Sequence, residues 1–153
     1  MNQLQNTKLV SITPPAAIVD NASYTTASID TQGFDYMQVV VYLGATDIAM
    51  TALKLQESDT DGGSYADVTG LVFGTSSNIA GSTSTLPSAT DDNKFFVFDV
   101  DLRGRKRYFD LVATAGDGTA GTFLTAFAIL SRGKDQPVTA AERGASQILR
   151  VPA

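Results

Sequence analysis

Short runs in which apolar and polar residues alternate recur along most of this chain. The clearest is YMQVVVYL at residues 36–43, in which Met37, Val39, Val41 and Leu43 occupy every second position. Because successive side chains of a β-strand point to opposite faces, these four residues would share one face. The β-branched and aromatic residues of the run predict a strand in the body of a sheet.

A second pair of runs predicts a hairpin. MTALKLQE (50–57) alternates towards its end, with Leu53 and Leu55 on one side and polar residues on the other, which indicates a half-solvated strand. SYADVTGLVF (64–73) is the expected partner strand. The intervening SDTDGG has the Asp and Gly residues that are typical of a tight turn.

Three further runs complete the expected core: KFFVFDV at 94–100, RYFDLVAT at 107–114 and TFLTAFAILS at 122–131. In the last run, larger residues such as Phe123 and Phe127 alternate with smaller ones, as in a buried strand. The connecting segments DLRGRK and AGDGTAG have hairpin length and contain glycines. Because no run predicts an amphipathic helix of three turns, we predict an all-β fold, an antiparallel β-sandwich or jelly roll.

The pattern also divides the chain into three parts. Residues 1–20 are expected to form an N-terminal arm, in which KLVSIT is able to pair as a strand and the following Pro-Pro pair favours extended chain. Residues 21–133 form the predicted sandwich domain. Residues 134–153 form a predicted C-terminal arm with a short helical turn in TAAERGA. Residues 74–93, rich in Ser, Thr, Gly and Ala, are predicted to be a surface loop with almost nothing to bury.

Composition excludes several kinds of chemistry. The 153 residues suffice for one core, but they include neither histidine nor cysteine. The usual general base at neutral pH, thiol nucleophiles, disulfides and thiolate zinc sites are therefore excluded. We expect a non-enzymatic protein with no catalytic residues, no cofactor and no metal site.

The N-terminal sequence lacks a basic segment followed by an apolar core, and no run approaches the length that spans a bilayer. We therefore expect a soluble protein that is made in a cytoplasm and has no membrane partner. The glycosylation sequon at Asn21 is then expected to be unused, because glycosylation requires a secretory route.

Four carboxylates lie within eleven positions around the predicted turn: Glu57, Asp59, Asp61 and Asp67. The sequence Asp-x-Asp-Gly resembles part of a calcium-binding loop. If Glu57 were the first ligand, however, Val68 would take the twelfth position, where a bidentate Glu is required, and both flanks are predicted strands. A hairpin whose Asp side chains cap backbone N–H groups is the favoured interpretation, and adventitious calcium binding is the alternative.

Two other sets of residues resemble functional sites only weakly. GDGTAG at 116–121 matches the Gly-x-Gly-x-x-Gly of dinucleotide-binding loops and follows a predicted strand. A nucleotide site would also need a helix and a second parallel strand, whereas a short apolar run and an irregular arm follow. Glycosidases use paired acids, but here such acids lie in a predicted loop and beside a basic segment, at Asp91, Asp92, Asp99 and Asp101.

The basic segment RGRKR at 103–107 is the most concentrated charge feature. Residues 1–101 carry three cations and twelve acids, a net charge of −9, whereas residues 102–153 carry eight cations and four acids, a net charge of +4. A nucleic-acid site is the least favoured interpretation, because the chain is acidic overall and no aromatic residues are interleaved. A solvated hairpin tip and a docking site for an acidic protein surface remain. The candidate partner-binding residues are Arg103, Arg105, Lys106 and Arg107.

Four segments of the chain occur together: IDTQGFDYMQVVVYLGA, LKLQESDTDGGSYADVTG, GRKRYFDLVATAG and GTFLTAFAILSRG. They resemble a family of small virion proteins encoded among phage head genes, over about residues 28–133. In that family the hairpin pattern is structural and not catalytic. The resemblance implies a capsid decoration, or cement, protein: a β-sandwich, often a homotrimer, that binds the outside of the shell and bridges neighbouring major capsid subunits.

The same resemblance implies a location on the capsid surface of the virion, with the major capsid protein and further copies of the chain as partners. Both arms have apolar residues without an evident place in a sandwich, so Leu9, Val10, Ile12, Ile148 and Leu149 are candidate contacts with neighbouring subunits. Fraying termini are the alternative. A tail or head-completion subunit, which would form rings, and a carbohydrate-binding or fibre-base module, which would display exposed aromatic residues, are the other classes left open.

Overall fold

Eight β-strands and no α-helix make up the described part of the chain. The computed structural model describes residues 6–76, 83–135, 137 and 139–149. Within these ranges, no helix has the length and apolar character needed to cross a bilayer. The strands are β1 (Lys8–Thr13), β2 (Ile29–Asp30), β3 (Phe34–Thr46), β4 (Ala52–Ser58), β5 (Ala66–Val72), β6 (Phe95–Asp101), β7 (Tyr108–Thr114) and β8 (Thr122–Gly133).

The strands form two antiparallel sheets, which confirms the predicted all-β class. Sheet A has the strand order β1-β8-β3-β6 and sheet B the order β2-β7-β4-β5. Each predicted strand is present, and KLVSIT of the predicted N-terminal arm is β1, which pairs with β8 at one edge of sheet A. The architecture is an all-β sandwich, and its assignment as a jelly roll stays a prediction.

The core lies between the two sheets, where alternate residues of the central strands meet. The four alternating residues of the 36–43 run in β3 are fully buried, as their spacing predicts. Leu53 and Leu55 of β4 are also buried and lie beside Ala113 and Leu111 of β7. Full burial of a large apolar side chain contributes about 1.5–3 kcal/mol, so these central strands supply much of the stability.

Strand β8 places small residues inward and large residues outward. Ala126 and Ala128 are buried towards the core, whereas Phe127 and Ile129 are only half-buried on the opposite side. Ala128 lies beside Val39 of β3, and its small side chain leaves space for large residues of the facing sheet in a close-packed core. The predicted buried strand is therefore confirmed for one of its faces, while the other face is an apolar surface.

The loop between β5 and β6 lies at the surface, as predicted, but it buries more than its composition suggests. Pro87 is buried and Leu86 packs against the core. The Met50 N–H donates a hydrogen bond to the Pro87 carbonyl at 2.9 Å, which fixes the loop near the start of β4. The prediction that the loop has almost nothing to bury is therefore wrong for these two residues. Residues 77–82 lie outside the described residues.

The N-terminal strand and the C-terminal segment meet at the β1 edge of sheet A. The Glu142 N–H donates to Thr139 Oγ1 at 3.2 Å, and the Glu142 carboxylate accepts from the Thr139 N–H at 2.9 Å, which makes a reciprocal capping box. The predicted helical turn is thus confirmed. The Leu9 N–H donates to the Arg143 carbonyl at 2.9 Å, and Arg143 Nε donates to the Thr7 carbonyl at 3.2 Å. The turn therefore docks on β1.

Candidate interaction surface

The basic segment 103–107 is paired with acids of its own chain. It forms the turn between β6 and β7, at the same end of the sandwich as the tip of the β4–β5 hairpin. Exposed ion pairs of this kind contribute no more than about 1 kcal/mol each, so together they hold the turn in place without dominating stability. The pairs are Arg103–Asp101, Arg105–Glu57 at 3.5 Å, Lys106–Asp59 at 3.2 Å and Arg107–Asp30 at 2.7 Å.

The Arg107–Asp30 pair has the most directional geometry of the four. Arg107 Nε and Nη2 donate to the two carboxylate oxygens of Asp30 at 2.8 and 2.7 Å, a bidentate arrangement. This contact lowers the pKa of Asp30 below its ordinary value. The acidic surface that suits these cations is supplied here by the chain itself, and their role in binding a partner stays a prediction.

The four carboxylates of the β4–β5 hairpin point to separate partners. Asp67 accepts from Lys54 Nζ at 2.8 Å and from Gln56 Nε2 at 2.6 Å, while Asp61 accepts from Ser28 Oγ at 2.6 Å. The other two carboxylates face the basic segment. In the part of the chain that the structure describes, no three Asp or Glu side chains converge as metal ligands would. The pairing of β4 with β5 confirms the hairpin. The predicted capping by Asp is not what the turn shows, because Asp59 and Asp61 bond to side chains and the Thr60 N–H donates to Ser58 Oγ at 3.2 Å.

The glycine-rich segment 116–121 binds a carboxylate of its own chain. The N–H groups of Thr119 and Ala120 both donate to Asp47 Oδ2 at 2.5 Å, and these bonds lower the pKa of Asp47. A Cβ atom on Gly118 would lie 2.4 Å from the Asp47 carboxylate oxygens, so a larger residue here would displace that carboxylate. Strand β8 follows the segment, and not the helix that a dinucleotide site needs.

The outward side of sheet A is a largely apolar surface. The strand register places Phe127, Val40 and Val97 in one row across β8, β3 and β6. In a neighbouring row, the Tyr42 ring stacks on the Phe95 ring with 4.5 Å between the centroids. Because the alternate residues of the same strands form the core, these side chains point away from it. The outer apolar face, as we call it, consists of the exposed and half-buried apolar residues around the covered Val40: Leu9, Tyr42, Phe95, Val97, Phe123, Phe127 and Ile129.

This face is exposed and has a polar border. At one end of the sheet, Gln38 Nε2 donates to Asp99 Oδ1 at 2.8 Å, beside the Asp101–Arg103 pair. A contiguous apolar patch bordered by polar groups marks a protein interaction site. The most exposed members of the face are Phe95 (63%), Leu9 (43%), Phe123 (42%) and Val97 (40%).

The structure places the predicted arm residues in different settings. Leu9 belongs to the outer apolar face, whereas Ile12 is buried in the core and Val10 is half-buried against it. The expectation that these apolar residues lack a place in the sandwich is wrong for Val10 and Ile12, because pairing of β1 with β8 turns both inward. Near the other end of the chain, Ile148 is half-buried and Leu149 is 97% exposed.

Sequence reasoning missed the apolar residues that β6 and β8 turn outward. Phe95 and Val97 lie in the unbroken apolar run FFVF at 95–98, and Phe123 and Phe127 lie in an equally apolar strand. A strand with only one buried face alternates between apolar and polar residues, whereas an unbroken run indicates apolar residues on both faces. That run was the available signal for a second apolar face.

Comparison with protein-family models, with curated proteins and with solved structures found no match to this chain. The class of this protein therefore rests on its fold alone. It is an all-β sandwich in which sheet A carries an apolar outer face, while Lys54, Gln56 and Asp67 form part of a polar outer face on sheet B.

Proposed function

We propose that this chain is a non-enzymatic structural protein of a phage virion, a capsid decoration or cement protein. In this proposal it binds the outer surface of the shell and bridges neighbouring major capsid subunits. The observation that carries the proposal is the outer apolar face, an exposed surface on a sheet that is suited to docking on another protein. The resemblance over residues 28–133 supplies the class of partner.

The size of the face suits a multivalent binder. Four strands about 4.8 Å apart, each with about seven residues at about 3.4 Å, give a face of roughly 450 Å². A standard protein interface buries about 800 Å² on each partner, so one face supplies about half of that area. Several linked copies would bind tightly through avidity, and the resemblance favours a homotrimer.

The two different outer faces suit a position on the outside of a particle. With the apolar face against the shell, the polar face of sheet B would meet solvent. On that polar face, Asp67 is hydrogen-bonded to Lys54 and Gln56, and Asp110 accepts from Thr26 Oγ1 at 2.8 Å. This orientation would cover the large apolar patch that the free chain exposes.

A carbohydrate-binding or fibre-base module on the particle is the second candidate. The stacked rings of Tyr42 and Phe95 favour it, because Phe95 is largely exposed and aromatic faces are typical of sugar-binding sites. A tail or head-completion subunit would instead form rings away from the shell surface. Binding to purified shells separates both from a decoration protein.

The test uses shells assembled from the major capsid protein encoded in the same genome, made without this chain. The purified chain is mixed with the shells, the shells are sedimented, and the ratio of the two proteins in the pellet is measured. We expect binding that saturates at a fixed ratio. Shells that stay bare at every concentration would overturn the proposal.

A matched pair of variants tests the face itself. Phe123→Ser removes an exposed apolar group from the outer apolar face and should weaken shell binding about tenfold or more. Val112→Ser makes a similar change on the outward side of sheet B, in β7, and should bind like the unchanged chain. Equal weakening by both variants would contradict the assignment of the binding face.

A further inference from the structure

Strand β6 is an open edge of sheet A. It ends the order β1-β8-β3-β6, and within the described ranges its backbone is hydrogen-bonded only on the β3 side. The Leu43 N–H donates to the Lys94 carbonyl, and the Leu102 N–H donates to the Asp35 carbonyl. Because directions alternate along a strand, the residues whose backbone groups point away from β3 are Phe95, Val97, Asp99 and Asp101.

These outward groups have the spacing that another extended strand satisfies. Alternating N–H and C=O groups along an edge recruit a strand through main-chain hydrogen bonds, while side-chain pockets select it. Within β6 itself, charged side chains lie only at one end, at Asp99 and Asp101, while Lys94, just before the strand, is paired with Asp91. The other end carries Phe95 and Val97, which are both exposed and belong to the outer apolar face. An apolar extended segment therefore fits that end.

The C-terminal segment leaves the sandwich at the opposite edge of the same sheet. Its helical turn is held on β1 by the hydrogen bond from the Leu9 N–H to the Arg143 carbonyl. Past Ala145, the described residues 146–149 take part in no backbone hydrogen bond with the rest of the described chain. This stretch ends in Ile148 and Leu149, and Leu149 is almost completely exposed.

We propose that the C-terminal segment, residues 146–149, adds as a strand to β6 of a second copy. This contact would join opposite edges of sheet A in successive copies, head to tail, and such contacts close into rings when the rotation between copies permits. The inference rests on the self-association included in the proposed function and names the two surfaces that carry it. Because successive side chains alternate, one of Ile148 and Leu149 lies on the same side of the sheet as Phe95 and Val97.

Ile148 and Leu149 cannot lie along β6 of their own copy. Sheet A is about 14 Å wide from β1 to β6, at about 4.8 Å between strands. Residues 145–149 span at most about 17 Å when extended. A strand paired with β6 would lie about 4.8 Å further out, beyond the reach of Ile148 and Leu149. A second copy is therefore the source of the strand.

Pairing of two β6 strands with each other fits the charges poorly. In an antiparallel pair about a twofold axis, each register with substantial overlap places Asp99 or Asp101 opposite Phe95, Val97 or another acid. Like charges directly opposite each other destabilise a strand pair, and an acid opposite an apolar residue forfeits a favourable contact. The C-terminal segment has no acid between Gly144 and its end.

Single cysteines test the contact directly, because the chain has none of its own. A Val97→Cys protein is mixed with a Leu149→Cys or an Ile148→Cys protein under mild oxidation, and the covalent dimer is measured by gel electrophoresis. We expect one of the two C-terminal variants to cross-link at least tenfold faster than the other, because only one side chain shares the side of Val97. Val112→Cys, on sheet B, is the control partner and should cross-link with neither.

Light scattering of the full chain gives the second readout. The unchanged chain should form an oligomer of one defined mass, and Val97→Pro should dissociate it, since proline at 97 removes only an N–H that points away from β3. Val97→Lys should also dissociate the oligomer, because it places a charge on the same edge. This variant controls for any perturbation of the strand by proline. A monomeric unchanged chain, an oligomer that survives both variants, or equal cross-linking to Val112→Cys would overturn the inference.

These outcomes are separate from shell binding. Cross-linked rings that leave the shells bare would contradict the decoration role and support the edge contact. Saturable shell binding by a chain that stays monomeric would support the decoration role and contradict the edge contact.

Discussion

The outward sides of the two sheets differ although both sheets contribute to one core. On sheet B, Lys54 and Gln56 of β4 bond to Asp67 of β5, and Thr26, which precedes β2, bonds to Asp110 of β7. On sheet A, the corresponding positions of β3, β6 and β8 carry mainly aromatic and branched apolar residues. Sheet B is thus complete within one chain, whereas sheet A exposes a surface that another molecule could cover.

This difference indicates which sheet interacts with other molecules. A polar outer face satisfies its groups internally and needs only water. An apolar outer face lowers solubility and persists where a partner buries it. The functional part of this molecule is therefore expected on sheet A and along its edges.

The largest predicted effect is a difference in unfolding free energy between substitutions on the two sides of β8. Ala128 and Ile129 are neighbours in β8, but Ala128 is fully buried and Ile129 lies on the outer apolar face. Ala128→Asp would bury an unpaired charge and should cost at least about 3 kcal/mol of unfolding free energy, whereas Ile129→Asp should cost about 1 kcal/mol or less. Urea unfolding followed by circular dichroism measures both. Equal costs would mean that both faces of β8 are buried.

The next effect concerns the attachment of the C-terminal turn to sheet A. Gly144 has φ of 71°, and a Cβ atom there would lie 1.9 Å from the Leu9 carbonyl oxygen. Gly144→Ala should therefore break the contact between the turn and β1, at a cost of about 1–2 kcal/mol from the left-handed backbone alone. Hydrogen exchange at the Leu9 amide, which donates to Arg143, should accelerate.

Gly104 provides the control for this change. It has φ of 77°, but a Cβ atom there would meet nothing within 4 Å. Gly104→Ala should show the backbone cost without faster exchange at Leu9. If both variants left the Leu9 amide equally protected, the turn would not be what protects this edge of sheet A.

Acidification should loosen the polar parts of the molecule before the apolar face. The guanidinium of Arg107 lowers the pKa of Asp30, the ammonium of Lys54 lowers that of Asp67, and backbone N–H groups lower that of Asp47. A carboxylate with a lowered pKa stabilises the fold above its unfolded value near 3.9 and loses that contribution as pH falls through its folded value. Stability should therefore fall only below about pH 4.

Stability should change little between pH 5 and 8, because the sequence has no histidine to titrate in that range. Amide exchange at pH 6 and pH 3 measures the distribution of the effect. We expect the larger loss of protection in β2, β5 and the 116–121 loop, and the smaller in β3 and β8. Equal loosening of both sheets would show that acid unfolds the molecule as one unit.

The strands were predictable from sequence because alternation is local. Every second residue of β3 shares a face whatever the tertiary fold, so the burial of Met37 and Leu43 follows from spacing alone. The partners were not predictable in the same way. Asp47 meets the N–H of Thr119, 72 positions away, and Arg107 meets Asp30, 77 positions away. Such contacts depend on strand order, which no short pattern contains.

The outer apolar face was hidden for a related reason. Alternation shows which residues of β8 lie together, but it does not show which of two apolar rows faces the core. The smaller Ala126 and Ala128 lie in the core, whereas the larger Phe123 and Phe127 lie on the outer side. The width of the space between the sheets is set by both sheets together, and so it can be known only once the fold is known.

The smallest predicted effect compares one acid on each sheet. Asp67 on sheet B bonds to Lys54 and Gln56, whereas Asp99 on β6 bonds to Gln38 at the open edge. Asp67→Asn should lower the melting temperature by no more than about 2 °C, and 1 M salt should remove the difference by screening the ion pair. Asp99→Asn should leave the melting temperature unchanged within that margin.

The two substitutions should differ in association instead. Asp99→Asn removes a charge that guards an open edge, so its oligomers should be larger or form at lower concentration, because edge charges oppose strand pairing between molecules. Asp67→Asn should associate like the unchanged chain, since its strand offers a polar face. Sedimentation velocity across a concentration series measures this. If Asp67→Asn were instead the variant that associates, sheet B would carry the adhesive edge, and the contrast between the two sheets would be reversed.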